Sequence, residues 1–141
     1  MYLAKVEVGF ESAHRLFHYT GKCKNIHGHS YRAIVVLERA DHVLAHPGFV
    51  IDFGDIRRIV KTWIDENWDH AIILWKDDPL CTVLNRYGSI KMFKMDSDPT
   101  AERMAKILYT VVSAELDEAT LVTEVAITET VGATAIYRSS E

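Results

Sequence analysis

Residues 2–11 read YLAKVEVGFE, and the fold turns on their alternation. Val6, Val8 and Phe10 share one parity while Lys5, Glu7 and Glu11 share the other, the period of a strand with one buried face. Further along, residues 31–37, YRAIVVL, are β-branched and aromatic and apolar on both parities toward the middle, which suits a central strand covered on both sides. A turn at His46-Pro47-Gly48 leads into a short extended piece over residues 49–53. Asp55 or Gly54 caps a helix that buries Ile56, Ile59, Val60, Trp63 and Ile64 and exposes Arg57, Arg58, Lys61 and Asp65. Residues 71–98 carry a weaker pattern: a helical turn over 79–86, a stop at Gly88 and a short strand around Met92. A second helix opens at Asp98-Pro99, with Pro at the first helical position and Ala101, Met104, Ala105, Leu108, Val111 and Val112 along one side. Two strands, residues 121–130 and 133–138, close the chain around a tight turn at Val131-Gly132. The order strand, strand, helix, helix, strand, strand lacks the alternation of a parallel sheet. It predicts an α+β fold: a four-stranded antiparallel sheet with two helices on one face.

Composition bounds the function. A chain of 141 residues that is 48% hydrophobic has the size of one domain, residues 1–141, able to bury a core without disulfide staples. No apolar run is long enough to cross a bilayer, and the N-terminus lacks the basic start and apolar block of a signal peptide. The expectation is a soluble, cytoplasmic protein with no membrane partner, in which Cys23 and Cys81 are free thiols. A formal net charge of −4 argues against nucleic acid as the main partner. An anionic small substrate needs only a local basic patch.

The segment Cys23-Lys24-Asn25-Ile26-His27-Gly28-His29 carries the chemistry. In extended chain, residues two apart point the same way, so His27 and His29 can present two imidazoles to one ion, with Gly28 leaving room between them. His14 keeps the parity of Val6, Val8, Phe10 and Ser12 if the first strand continues, and becomes the third candidate. Three histidines without a fourth protein ligand describe a catalytic Zn2+ site, whose open position takes water or substrate. His18, His42 and His46 read as surface or loop residues, with His18 a candidate for lining the site. Cys23, four residues before His27 and flanked by Lys22 and Lys24, is placed to act as an acid/base. Its plain alternatives are a fourth zinc ligand in a structural site or an inert thiol. Asp69-His70 suggests an oriented proton carrier, although neighbours in a strand face opposite ways and would not pair with each other. Glu129 shares parity with Val125 and Ile127, so the buried face of its strand ends in a charge, unless the strand has already reached solvent there. Glu102, in a first helical turn, suits the helix dipole whatever else it does.

Together these pieces resemble the 6-pyruvoyltetrahydropterin synthase family, and within it the bacterial 6-carboxytetrahydropterin synthase branch that serves queuosine biosynthesis. The matching elements run in order: residues 10–16 (FESAHRL), 23–29, 50–53 (VIDF), Asp69-His70, 99–102 (PTAE), 128–130 (TET) and 135–138 (AIYR). The resemblance implies a tunnelling fold, in which sheets from several subunits join into a barrel, a hexamer or similar homo-oligomer, with active sites between subunits. It implies zinc on His14, His27 and His29, proton abstraction by Cys23, a relay of Asp69 and His70 completed in the oligomer, and Glu129 as the pterin anchor. Thr100 and Glu102 fall in the segment that frames the pterin. The three-residue spacer between Cys23 and His27 matches the carboxy-forming branch, whereas residues 72–98 are longer than in compact bacterial members. The implied substrate is a pterin triphosphate, 7,8-dihydroneopterin triphosphate, with Arg15, Lys22 and Lys24 as candidates for the triphosphate on charge and proximity. The alternatives are the pyruvoyl-forming reaction and a zinc module without turnover.

Overall fold

The alternation that opens the chain runs three residues further than its clearest part. In the computed structural model, which describes residues 1–140, strand β1 spans Ala4–His14 and buries Ala4, Val6, Val8, Phe10, Ser12 and His14 on one face. Strand β2, His27–Arg39, runs antiparallel to it with Phe10 opposite Tyr31, Ser12 opposite His29 and His14 opposite His27. Directly opposed residues share a face. Tyr31, Ala33, Val35 and Leu37 therefore extend the floor laid by β1.

Helix α1, Phe53–Asn67, covers that floor with Ile56, Val60 and Ile64, and Trp68 follows at its C-cap. Its N-cap is Asp52, whose carboxylate accepts from the backbone N–H of Gly54 and Asp55. The cap expected at Asp55 or Gly54 thus lies two or three residues earlier, because Asp52 is extended and free to turn its side chain back on the first turn. Strand β3, Ala71–Trp75, lies parallel to β1 on its other edge. Helix α2, Pro79–Tyr87, then leads to β4, Met92–Met95, parallel to β3. Gly88 stops α2 at φ 149°, a region closed to most side chains. Helix α3, Ala101–Glu115, packs Met104, Ala105, Leu108 and Val112 into the same core as α1. Its N-cap is the Thr100 hydroxyl, so Pro99 precedes the helix and does not open it. Strands β5, Thr120–Thr130, and β6, Ala133–Arg138, complete the sheet in the order β4-β3-β1-β2-β5-β6.

The antiparallel core of four strands, β1, β2, β5 and β6, is the expected one. The sheet as a whole is a correction: among the described residues it has six strands and is mixed, with three α-helices. Strands of five and four residues are too short to display a period, although the short strand expected around Met92 is present as β4. None of the helices among the described residues is long and apolar enough to cross a membrane.

The segment between β3 and α3 returns to the first strand through Asp78. Its side chain is fully buried, caps α2 through the backbone N–H of Leu80, and takes both arms of the Arg15 guanidinium, with Nε at 2.7 Å. Burial works against the Asp78 carboxylate, but the Arg15 fork and the Leu80 N–H more than offset it and hold its pKa below the ordinary value. A lowered carboxylate pKa contributes stability that is complete above about pH 4 and is lost as pH falls through the folded-state value. Asp78→Asn should therefore destabilise the protein at neutral pH by about 2 to 3 kcal/mol. The gap to the parent should close as urea melts are repeated from pH 6 down to pH 3. A constant gap would mean that the ion pair is not the source.

Candidate metal centre

The pairing of β1 with β2 puts His14 directly across from His27, and His29 two residues further along the same face. The three rings meet edge to face, with centroids 4.7 Å apart for His14–His27 and His27–His29 and 5.2 Å apart for His14–His29. One nitrogen from each lies within 4.8 Å of the others, so the triad can hold a metal ion; the Cys23 thiol is not part of this cluster. Gly28 leaves more room than the pair needs. A Cβ there would meet only the Ser12 carbonyl, at an ordinary 3.5 Å, so the expectation that glycine makes space is corrected.

Two backbone carbonyls decide which nitrogens face inward. His14 Nδ1 lies 2.9 Å from the Pro99 carbonyl, and His27 Nδ1 lies 2.7 Å from that of Asn25. A carbonyl can only accept, so each Nδ1 carries the proton and, in the neutral ring, each Nε2 presents a lone pair. Those two Nε2 atoms stand 3.1 Å apart, and Glu129 Oε1 stands 3.1 Å from that of His14. Three electron pairs thus converge without a hydrogen to share unless a cation, a proton or a metal ion, sits among them. His29 Nε2 is buried, 3.5 Å from the same carboxylate oxygen, and without a hydrogen-bond partner among the described residues. Burial lowers the His29 pKa more than Glu129 raises it, and the lowered value favours the neutral ring that metal ligation requires. By donor chemistry, geometry and the orphaned nitrogen, the site fits a three-imidazole metal ion such as zinc.

Glu129 reaches the triad through two irregularities of β5. Buried positions fall at Thr120 and Val122, then switch parity to Val125 and Ile127 across a bulge opposite Val36 and Leu37. A second bulge, between Thr128 and Thr130 in the pairing with β6, leaves Glu129 as the extra residue. Its side chain is about one quarter exposed, at 27%. The carboxylate is not the uncomfortable buried charge that the alternation suggested. Its pKa is lowered against the effect of burial, first by His14, whose Nε2 would donate to the carboxylate once that ring is protonated, with the charges of the three histidines adding to the shift.

The remaining candidates are spread around this centre. Cys23 lies half-buried in a single 3-10 turn, Lys22–Lys24, and its carbonyl accepts from the Leu16 N–H at 2.8 Å. Lys22 and Lys24 are exposed on that turn. Arg15 spends its fork on Asp78, yet it also lines a cleft of about 340 Å3 with Phe17, His18, Tyr19, Thr20 and Lys24. The Thr100 hydroxyl caps α3 by accepting from the Arg103 N–H, and Glu102 is exposed in the first turn. Asp69 and His70 do pair with each other, contrary to the strand argument. Both precede β3, and His70 adopts φ 55°, which brings its Nδ1 to 2.8 Å from the carboxylate. The Asp69 pKa is lowered, first by the backbone N–H of Glu11 and, against burial, by His70 and Lys91. The His70 ring is 78% exposed, and among the described residues no hydrogen bond or ring contact joins it to the triad. Pro99, Asn25, Tyr31, Asp78 and Asp98 are participants that sequence reasoning missed. Only Tyr31 left a signal, its parity with His29; its hydroxyl lies 3.2 Å from His14 Nδ1.

The chain matches the family model described as 6-pyruvoyl tetrahydropterin synthase over residues 4–140. It is 36% identical over 99 residues to a 6-carboxy-5,6,7,8-tetrahydropterin synthase of Rickettsia conorii, covering 70% of each chain. A protein of the same name from Aquifex aeolicus is 35% identical over 114 residues, covering 78% of this chain and 68% of that one. Among solved structures, the fold matches Caenorhabditis elegans 6-pyruvoyl tetrahydropterin synthase with a TM-score of 0.69 at 24% identity, over 99% of this chain and 98% of that one. An uncharacterised protein of Wolinella succinogenes matches with a TM-score of 0.82 at 23% identity, over the same shares.

The inward lone pairs make a direct prediction. Zinc added to metal-stripped protein should raise its melting temperature, and more at about pH 7.5 than at about pH 5.5, because protons compete for the same nitrogens. His27→Ala should remove most of that rise. An equal rise in the variant would place the metal elsewhere.

Proposed function

The chain belongs to the 6-pyruvoyl tetrahydropterin synthase family, and within it we propose a zinc-dependent 6-carboxytetrahydropterin synthase of the queuosine pathway. The reaction takes 7,8-dihydroneopterin triphosphate and water to 6-carboxy-5,6,7,8-tetrahydropterin, acetaldehyde and triphosphate. The observation that carries this reading is the convergence of three imidazole donors beside an anionic Glu129. The names of the relatives from Rickettsia and Aquifex favour the carboxy-forming branch over the pyruvoyl-forming one. A zinc module without turnover would draw support from a fourth, thiolate donor, and Cys23 stands outside the cluster.

His14, His27 and His29 would hold the zinc. Bound there, it would supply Lewis acidity and a template for the hydroxyls of the substrate side chain. Glu129 would accept hydrogen bonds from N2 and N3 of the pterin and fix the ring, a task suited to a carboxylate whose pKa is already held low. Cys23 would move a proton at the side-chain carbon. The exposed Asp69–His70 pair would act from a neighbouring copy of the chain, which accounts for its distance from its own triad and for a homo-oligomer, a hexamer or similar, as the working form. The ring would gain the two hydrogens that the side chain gives up, so no external reductant is needed. Triphosphate would leave by elimination, with Lys22 and Lys24 as its cations, and water would enter as the carbon–carbon bond breaks. Arg15, Thr100 and Glu102 would shape the approach. We assign this activity to the whole chain as one domain acting in the cytoplasm.

Incubating the zinc-loaded protein with 7,8-dihydroneopterin triphosphate and identifying products by mass spectrometry tests the proposal. Acetaldehyde and 6-carboxytetrahydropterin are expected, and Cys23→Ala should cut turnover by about 10²- to 10⁴-fold while keeping zinc. A pyruvoyl product would assign the other branch, and no product would leave a binding module.

A further inference from the structure

Asp98, Pro99 and Thr100 are consecutive, and each makes a different connection. The Thr100 hydroxyl caps α3, and the Pro99 carbonyl orients His14. Asp98 reaches across to the loop between β1 and β2. Its Oδ1 accepts from the Phe17 N–H at 3.0 Å, and its Oδ2 lies 3.2 Å from the His18 nitrogen and 2.8 Å from His18 Nδ1. On the other side of Leu16, Arg15 is fixed by the buried Asp78. Leu16 is therefore held at both neighbours, and its own N–H binds the Cys23 carbonyl at 2.8 Å. Besides its internal bonds, from the Lys24 N–H to the Gly21 carbonyl and from the Asn25 N–H to the Lys22 carbonyl, the turn carrying the thiol is tied to the clamped Leu16 on one side and leads to the Asn25 carbonyl on His27 on the other.

We propose that Asp98 is a positioning residue: by gripping the backbone at Phe17 and His18, it sets the Cys23 turn against the triad that Pro99 helps to orient. This deepens the proposed function and rests on its reading of Cys23 as a proton carrier. Geometry of this kind acts on the rate more than on binding, because a proton carrier displaced by about an ångström loses its reach while the substrate keeps its anchors. The carboxylate suits the task. It offers acceptors to two successive backbone N–H groups at once, which a neutral amide can match at only one of its two atoms. Asn at this position should therefore fall between Asp and Ala.

The test uses the full-length, zinc-loaded protein and the variants Asp98→Ala and Asp98→Asn. Turnover of 7,8-dihydroneopterin triphosphate is measured beside the rate of Cys23 alkylation by iodoacetamide, read at the Cys23 peptide by mass spectrometry. In Asp98→Ala, kcat should fall by about 10- to 100-fold with KM within about twofold and zinc content unchanged. Alkylation should rise by roughly threefold or more as the turn loosens. Asp98→Asn should give an intermediate value for both and serves alone if the alanine variant does not fold. Parental kcat and parental alkylation in a folded variant would overturn the proposal, as would a loss of zinc that accounts for the loss of rate. If Cys23→Ala itself turns over normally, the catalytic reading of the thiol falls. Alkylation still decides separately whether Asp98 holds the turn.

Discussion

The hydrogen bond from His14 Nδ1 to the Pro99 carbonyl fixes the chemistry of the site. It ties the last residue of β1 to the approach of α3, 85 positions away, and it compels the other ring nitrogen of His14 to present a lone pair. The Asn25 carbonyl does the same to His27. With the Glu129 carboxylate alongside, the electrostatics of the pocket are those of a cation site before any ion enters it. An apolar side chain in place of His14 would leave the Pro99 carbonyl without its donor inside a buried region.

The fold meets that constraint with ordinary devices. One register, His14 against His27, brings two imidazoles of the triad together, and strand periodicity brings the third. A sheet that was regular throughout would turn Glu129 out of line with its neighbours. Two bulges in β5 correct the phase and then aim the side chain. The stacked rings of Phe10, Tyr31 and Trp68 make a rigid floor under the imidazoles, Phe10 and Tyr31 lying 4.9 Å apart and nearly parallel.

Much of this was legible in the sequence wherever a residue's role followed from its neighbours along the strand. His14 could be placed by the parity of Val6, Val8 and Phe10, His27 and His29 by their spacing, and β6 to the residue by its turn. What was not legible depends on distance or on a single dihedral angle. β3 is too short to show a period, and although a short strand around Met92 was expected, its parallel pairing with β3 is decided by the crossover through α2. The Asp69–His70 pair forms because one backbone angle is positive, which no pattern of side chains announces. Asp78 and Asp98 reach the first loop across 63 and 80 or more positions, contacts that no local pattern of residues announces.

A metal ion in this pocket would be held by imidazoles alone among the protein's side chains, with its remaining position open. X-ray absorption at the zinc edge on the purified, zinc-loaded protein tests it most directly. One zinc per chain is expected, with nitrogen scatterers at about 2.0 to 2.1 Å, imidazole multiple scattering for three rings and one further light atom. A sulfur scatterer at about 2.3 Å would contradict it, because Cys23 would then be a ligand and the site closed.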